Sequence, residues 1–386
     1  MNKIDTFGSW TLSTSQPVKF KIEIVNSLFD PKNKTIMSFG SKGEDARRLI
    51  IIDLKVSEIY LKQIARYFDS NGIDYNVVVI NATEENKDID NLIFLLNEME
   101  KFGLLRRKEP VIAIGGGVLL DIVGLASNLY RRGVPYIKVP TTLLGLVDAS
   151  VGAKTGINFM DRRNRLGSYY APIAAYLDKT FLKTLEPIEI SSGLGEIFKM
   201  AVVKDSELFS LLEENGEELY RTKFSNSKHS DEVINLAVKG MKDELQENLW
   251  EMNLERYVDF GHSFSPVIEM RSLSDDNVLS LTHGQAVALD VIYSSIISMN
   301  RNMLSEDDVV RIIKTAKSMN LPITHPFFLE ISLVIESLNE TIKHRNGNQN
   351  LPIPKDIGMS IFVNDLSHDE IGNACAKMKE LTSQIS

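Results

Sequence analysis

A chain of 386 residues is long enough for two domains with separate cores, and its 43% hydrophobic and 25% charged content is ordinary for a globular protein. A net charge of −9 excludes nucleic-acid binding through a broad basic surface, but not a local cationic pocket for an anionic metabolite. The single cysteine, Cys375, excludes an intrachain disulfide and a cysteine-rich zinc site, and fits a cytoplasmic protein.

Residues 1–16 hold no apolar leader core, and no run of about 18 apolar residues occurs, so neither export nor a membrane span is expected. Over residues 17–29, Val18, Phe20, Ile22 and Ile24 alternate with polar neighbours, which predicts a half-buried strand. Residues 48–53 predict a buried strand ending on Asp53. An acid there is placed to bond the ribose of a dinucleotide or, equally, to cap the helix beginning near Val56. Ile59, Ile64 and Phe68 predict a helix, residues 77–80 a strand, and Ile89, Leu92, Ile93, Leu96 and Met99 an amphipathic helix. This alternation predicts an α/β fold with a parallel, doubly wound sheet.

The apolar run 111–114, then Gly115, Gly116 and Gly117, then helical spacing over 118–130, read as strand, tight turn and helix. Such a turn lets backbone approach a phosphate that the following helix N-terminus attracts. Glycine also serves turns for geometry alone, so the motif gains meaning only from its downstream neighbours. Thr141 and Thr142 come after Pro140, Asp148 and Lys154 lie six residues apart, and Arg163 and Asn164 come next. So many polar and cationic groups in an apolar, glycine-rich stretch point to a ligand.

From about residue 185 the pattern turns to long helical stretches, 187–220 and 231–246, separated by a polar loop at 221–231. The expected division is therefore 1–185 and a mostly helical 186–386. Glu196 and Lys199 share one helix face, which alone reads as a surface ion pair. His262 and His283, each beside a glycine, alone read as hydrogen-bonded core residues, and His229, His325 and His368 as structural or surface groups.

The segments GGGVLLD from Gly115, PTTLL from Pro140, DASVGAKT from Asp148, GLGEIFKMA from Gly193 and DFGHSFSP from Asp259 resemble the sugar phosphate cyclases, the superfamily that includes 3-dehydroquinate synthase. The resemblance spans nearly the whole chain. It implies a Rossmann-like NAD-binding domain followed by a helical metal-binding domain. It also implies transient NAD-dependent oxidation, phosphate elimination, reduction and intramolecular aldol closure of a sugar phosphate, without net oxidation.

By position, the resemblance makes Glu196, His262 and His283 ligands of one divalent metal, zinc with cobalt as the alternative. Two imidazoles and a carboxylate leave the open position that catalytic zinc requires. It lines the substrate pocket with Asp148, Asn164, Lys199, Glu251 and Lys154, the last as central catalytic residue. It assigns the phosphate to Arg132, reaching across a homodimer, and to Lys343, His344 and Arg345. It places NAD against Asp53, Glu84, Lys87, Gly115, Gly116, Gly117, Val118, Leu119, Asp121, Thr141, Thr142, Lys154, Arg163, Phe181, Leu182, Lys183 and Thr184. Residues 82–87, taken alone, would be an ordinary solvated connection.

Departures from the dehydroquinate synthase pattern guide the choice of substrate. Arg163 stands where those enzymes have lysine, which keeps charge but changes geometry. Met241, Glu255, Asp259 and Pro266 replace a lysine, an arginine, an asparagine and a histidine. Cations lost and acids gained disfavour a carboxylated sugar and point to the valiolone branch, whose substrate is sedoheptulose 7-phosphate. The 2-epi-valiolone and desmethyl-4-deoxygadusol synthases and 3-dehydroquinate synthase itself stay open as alternatives. Of different kind are a metal-dependent alcohol dehydrogenase of this architecture and a noncatalytic binding protein; the intact Glu196, His262, His283 and Lys154 set argues against the latter.

Overall fold

Six parallel strands form the first half of the computed structural model, which describes residues 9–41, 46–160, 162–225 and 228–385. They are β1 (Lys21–Val25), β2 (Arg47–Asp53), β3 (Asp74–Ile80), β4 (Val111–Gly115), β5 (Tyr136–Pro140) and, later in the chain, β8 (Ala174–Asp178). Helices α1 (Leu54–Ser70), α2 (Ile89–Phe102) and α3 (Gly117–Leu129) follow β2, β3 and β4. The sheet order is β1-β8-β5-β4-β2-β3. Both faces are covered: Leu49 and Ile51 of β2 pack toward α2 and α3, and Ile50 and Ile52 pack toward α1. All four are fully buried, each contributing on the order of 1.5–3 kcal/mol. Chain progression reverses between β2 and β4, so a crevice opens beyond their carboxyl ends, where Asp53 and the glycine turn lie.

Between β5 and β8 the chain forms an antiparallel hairpin, β6 (Lys154–Phe159) and β7 (Arg162–Tyr169). The second half comprises α4 (Pro187–Lys204), α5 (Ser206–Thr222), α6 (Ser230–Glu247), α7 (Ser265–Leu273), α8 (His283–Asn300), α9 (Glu306–Ser318) and α10 (Ile331–His344). A second hairpin, β9 (Leu351–Asp356) and β10 (Met359–Val363), and α11 (His368–Ile385) close the chain. Among the described residues no helix is long and apolar enough to cross a membrane.

Several expectations need correction. The strand expected over 17–29 covers only β1, because it is an edge strand bonded to β8 alone. The helices read from Ile59, Ile64 and Phe68 and from Ile89 to Met99 form as α1 and α2, although Ile59, Ile89 and Ile93 are 54%, 42% and 49% exposed. The continuous helix expected over 187–220 breaks at Asp205, whose carboxylate accepts from Leu208 N and caps α5. The two hairpins were not expected, and the second interrupts a half read as mostly helical. Of the stretches read as an N-terminus without a leader and as a polar loop, residues 1–8 and 226–227 lie outside the described residues.

Candidate functional site

Two glycines let α4 and α8 touch backbone to backbone. A Cβ at Gly195 would stand 2.0 Å from Gly284 O, and one at Gly284 would stand 1.7 Å from Ser192 O. That crossing brings Glu196, the next residue of α4, against His283, the first of α8. His262 arrives on a turn closed by its own N–H to Asp259 O at 3.0 Å. Gly261 precedes it at φ 74°, where a Cβ would also meet Val287 at 2.7 Å. One ligand atom from each of Glu196, His262 and His283 lies within 4.8 Å of the others.

The donor set fits a divalent metal. His262 Nδ1 lies 3.1 Å from Phe260 O and His283 Nδ1 lies 3.1 Å from Glu269 Oε2, leaving the two Nε2 atoms 3.8 and 3.3 Å from Glu196 Oε1. Outer hydrogen bonds of this kind fix the orientation of metal-binding imidazoles. Neither oxygen of the 2%-exposed Glu196 carboxylate has a hydrogen-bond partner, although Lys199 pairs with it. Glu196 and Lys199 are therefore a buried pair, not a surface one. Burial and the nearby Lys199 charge lower His262 to about 4. Burial would lower His283 too, but the Glu196 and Glu269 carboxylates beside it outweigh that and hold the ring up at about 10.

Asp148 sits on a π-helical turn, Gly145–Ala149. From β5 beneath it, the buried Lys138 donates to Ala149 O at 2.7 Å and Gly152 O at 2.9 Å, and burial lowers that amine to about 8. Burial and the Glu196 carboxylate raise the Asp148 carboxyl. Lys154 opens β6 and pairs with Glu251, which also accepts from Tyr169 Oη at 3.1 Å. Glu251 pairs with Arg256, and Arg256 with Asp259. Asn164 and Glu251 both adopt left-handed backbone, at φ 50° and 53°, which is uncommon for glutamate and typical of constrained sites.

At the dinucleotide end, Gly116 stands at the cap position just before α3, so the first N–H groups of that helix have no capping side chain. A Cβ at Gly116 would press on Thr142 at 3.2 Å. Asp53 performs the capping role: Oδ1 accepts from Lys55 N and Val56 N, and Oδ2 from Ala82 N. Lys87, almost fully buried, donates to Asp121 at 2.6 Å and Asn164 at 2.5 Å. Asn158 Nδ2 donates to Glu84 Oε1 at 2.9 Å, and Arg163 lies between Glu84 and Glu269, which it pairs with.

Not every expected contact is gathered in. Leu119, Phe181 and Leu182 are core side chains, leaving only their backbone for a ligand, while Thr184 bonds Tyr60 Oη at 2.9 Å and Lys183 is exposed. Val118 and Thr141 lie in the turn region, half-buried and buried. Arg132 is exposed beyond α3, and Lys343 and His344 are exposed on the last turn of α10, with Lys343 pairing to Glu340. From that cluster only the buried Arg345 joins the site, 3.6 Å from Asp259 Oδ2.

The four substrate-guiding positions divide likewise. Met241 is core, Glu255 is exposed and Pro266 lies in the first turn of α7, while Asp259 is no lone acid, being flanked by Arg256 and Arg345. Sequence reasoning missed Arg256, Tyr169, Asn158 and Glu269. None stands in a glycine- or histidine-marked motif, and a carboxylate in mid-helix carries no local signal.

Residues 77–192 match the family described as 3-dehydroquinate synthase N-terminal, and residues 193–345 match 3-dehydroquinate synthase C-terminal. The chain is 41% identical, over 97% of its length and 98% of the relative's, to a 2-epi-5-epi-valiolone synthase from Actinomyces sp.. It is 34% identical to the demethyl-4-deoxygadusol synthase of Trichormus variabilis, over 95% and 89% of the two chains. In structure it is similar to ValA, a 2-epi-5-epi-valiolone synthase from Streptomyces hygroscopicus subsp. jinggangensis 5008 with NAD+ and Zn2+ bound. That match has a TM-score of 0.89 at 40% identity, covering 96% and 99% of the chains.

Proposed function

Because the chain belongs to the 3-dehydroquinate synthase family, we propose that it is a sugar phosphate cyclase converting sedoheptulose 7-phosphate to 2-epi-5-epi-valiolone with loss of phosphate. The observation that carries this reading is the gathered Glu196, His262 and His283 set beside Asp148 and Lys199, within a chain similar end to end to valiolone synthases.

When bound, NAD supplies a reversible two-electron acceptor and the divalent metal, zinc or cobalt, a Lewis acid for a substrate hydroxyl. Glu196, His262 and His283 would hold the metal. The uncapped start of α3 at Gly116 and Gly117 would hold the pyrophosphate. Lys154, oriented by Glu251, would move protons at the substrate hydroxyls. Asp148, its carboxyl raised by burial and Glu196, would hold a proton at a sugar oxygen. Lys87, by joining Asp121 and Asn164, would fix the wall between cofactor and sugar. The phosphate would meet Arg345 and, in a homodimer, Arg132 of a second copy.

The same reading takes residues 1–185 as the cofactor domain and 186–386 as the metal domain, in a cytoplasmic homodimer. Light scattering should give twice the chain mass; a fully active monomer would remove Arg132 from the site. The function is tested by giving the metal-loaded enzyme and NAD each sugar in turn, measuring phosphate release and identifying the product by NMR. Sedoheptulose 7-phosphate should be favoured over the carboxylated heptulosonate by roughly a hundredfold or more in kcat/KM, the equivalent of about 3 kcal/mol for an unpaired carboxylate. Faster release from the carboxylated sugar would return the chain to the dehydroquinate branch. Accumulating NADH would make it a dehydrogenase.

A further inference from the structure

Among the described residues, Arg256 is the one cation that pairs with both Glu251 and Asp259. Its Nε and Nη2 donate to Asp259 Oδ2 at 3.0 and 2.8 Å, and Nη2 also lies 2.8 Å from Oδ1. Its third nitrogen, Nη1, faces Glu251, and both Nη1 and Glu251 Oε1 are buried atoms without a properly aligned hydrogen-bond partner. Glu251 in turn pairs with Lys154. The loop carrying both residues is braced across itself: Asn248 Nδ2 donates to Asn253 O at 2.7 Å and Asn253 N to Asn248 Oδ1 at 3.1 Å. Asp259 lies on the turn that presents His262. Cations and acids thus alternate from Lys154 through Glu251, Arg256 and Asp259 to Arg345.

We propose that Arg256 is a positioning residue for substrate recognition, holding Asp259 as a fixed acceptor for a hydroxyl-bearing sugar end and Glu251 against Lys154. The guanidinium is always charged and its fork can serve two carboxylates at once, which an ammonium cannot do with fixed geometry. Committed to both acids, Arg256 is not free to receive a substrate carboxylate. Asp259 keeps acceptor positions that Arg256 does not fill, a carboxylate having about four. The choice between a hydroxymethyl and a carboxylate end therefore falls to Asp259 and to the arginine that fixes it. This role rests on the sedoheptulose 7-phosphate reading, while the grip on Glu251 does not.

Arg256→Gln and Arg256→Lys, each checked for metal content and melting temperature, test it. Both should retain metal and raise KM for sedoheptulose 7-phosphate at least tenfold, since lysine keeps charge without spanning two acids. Unchanged KM in both, or full rescue by lysine, overturns the bridge. A substrate-free arm follows the Glu251 carboxylate by NMR titration of the metal-loaded protein. Burial acts to raise this carboxyl, but Lys154 of β6 and Arg256 of its own loop outweigh it and hold it low, with Tyr169 of β7 donating a hydrogen bond. The titration should move upward in Arg256→Gln, and an unmoved titration overturns the grip on Glu251 whatever the sugar. If the wild type turns over only the carboxylated sugar, the substrate reading and the role of Asp259 fall together, and the titration alone decides whether Glu251 is held.

Discussion

Between two carboxylates, His283 is a protonated ring at neutral pH in the metal-free protein. Burial works against that charge, but Glu196 and Glu269 outweigh it and hold the ring up at about 10. A folded value above the usual 6.5 means that this contribution to stability is complete below about pH 6.5 and is lost as pH rises toward 10. The metal-free protein should accordingly lose melting temperature over that interval. A metal must displace the proton, so binding at pH 7 should release about one proton per chain, read by titration calorimetry in buffers of different ionisation enthalpy. No release, or full metal occupancy in both His262→Ala and His283→Ala, would contradict the ligand set. Glu269→Gln should weaken metal binding roughly 10–100-fold by loosening the ring. Glu196 and the two histidines were legible by their positions in the family resemblance, since taken alone they read as a surface ion pair and as core residues. Glu269 was not, because its role depends on a helix packing that no local spacing encodes.

The crossing of α4 and α8 shows what a motif means at the scale of elements. In GLGEIFKMA and THGQ, Gly195 and Gly284 serve contact, since backbone atoms occupy the space a side chain would need. Gly195→Ala should push the helices apart, at a cost of roughly 1–3 kcal/mol or more, and lose metal along with stability. Metal analysis beside thermal melting checks this; a normal metal content would show that the crossing can relax. The parallel sheet was legible because strands such as β2 and β4 are continuous apolar runs buried on both faces. The hairpin β6/β7 was not. Its second strand, RRNRLGSY, is mostly exposed and lacks apolar alternation, so only pairing with β6 defines it. At Asp53 the sequence left ribose contact and helix cap equally open; the structure shows the cap.

Across the whole molecule, the candidate metal ligands Glu196, His262 and His283 lie in the helical half and the glycine turn in the sheet half. Arg163 of β7 spans the two: it faces Glu84 in the loop after β3 and pairs with Glu269, which in turn bonds His283. If a nucleotide orders Glu84 and Arg163, this chain of contacts would bias the His283 ring, which would have to release its proton to a metal. Such a coupling free energy is reciprocal, so the factor by which NAD tightens metal binding must equal the factor by which metal tightens NAD binding. Calorimetry of each ligand with and without the other should return the same ratio, above one in the native chain and close to one in Arg163→Ala. The practical sign is that NAD should slow the stripping of metal by a chelator, so that each ligand is retained longer in the company of the other.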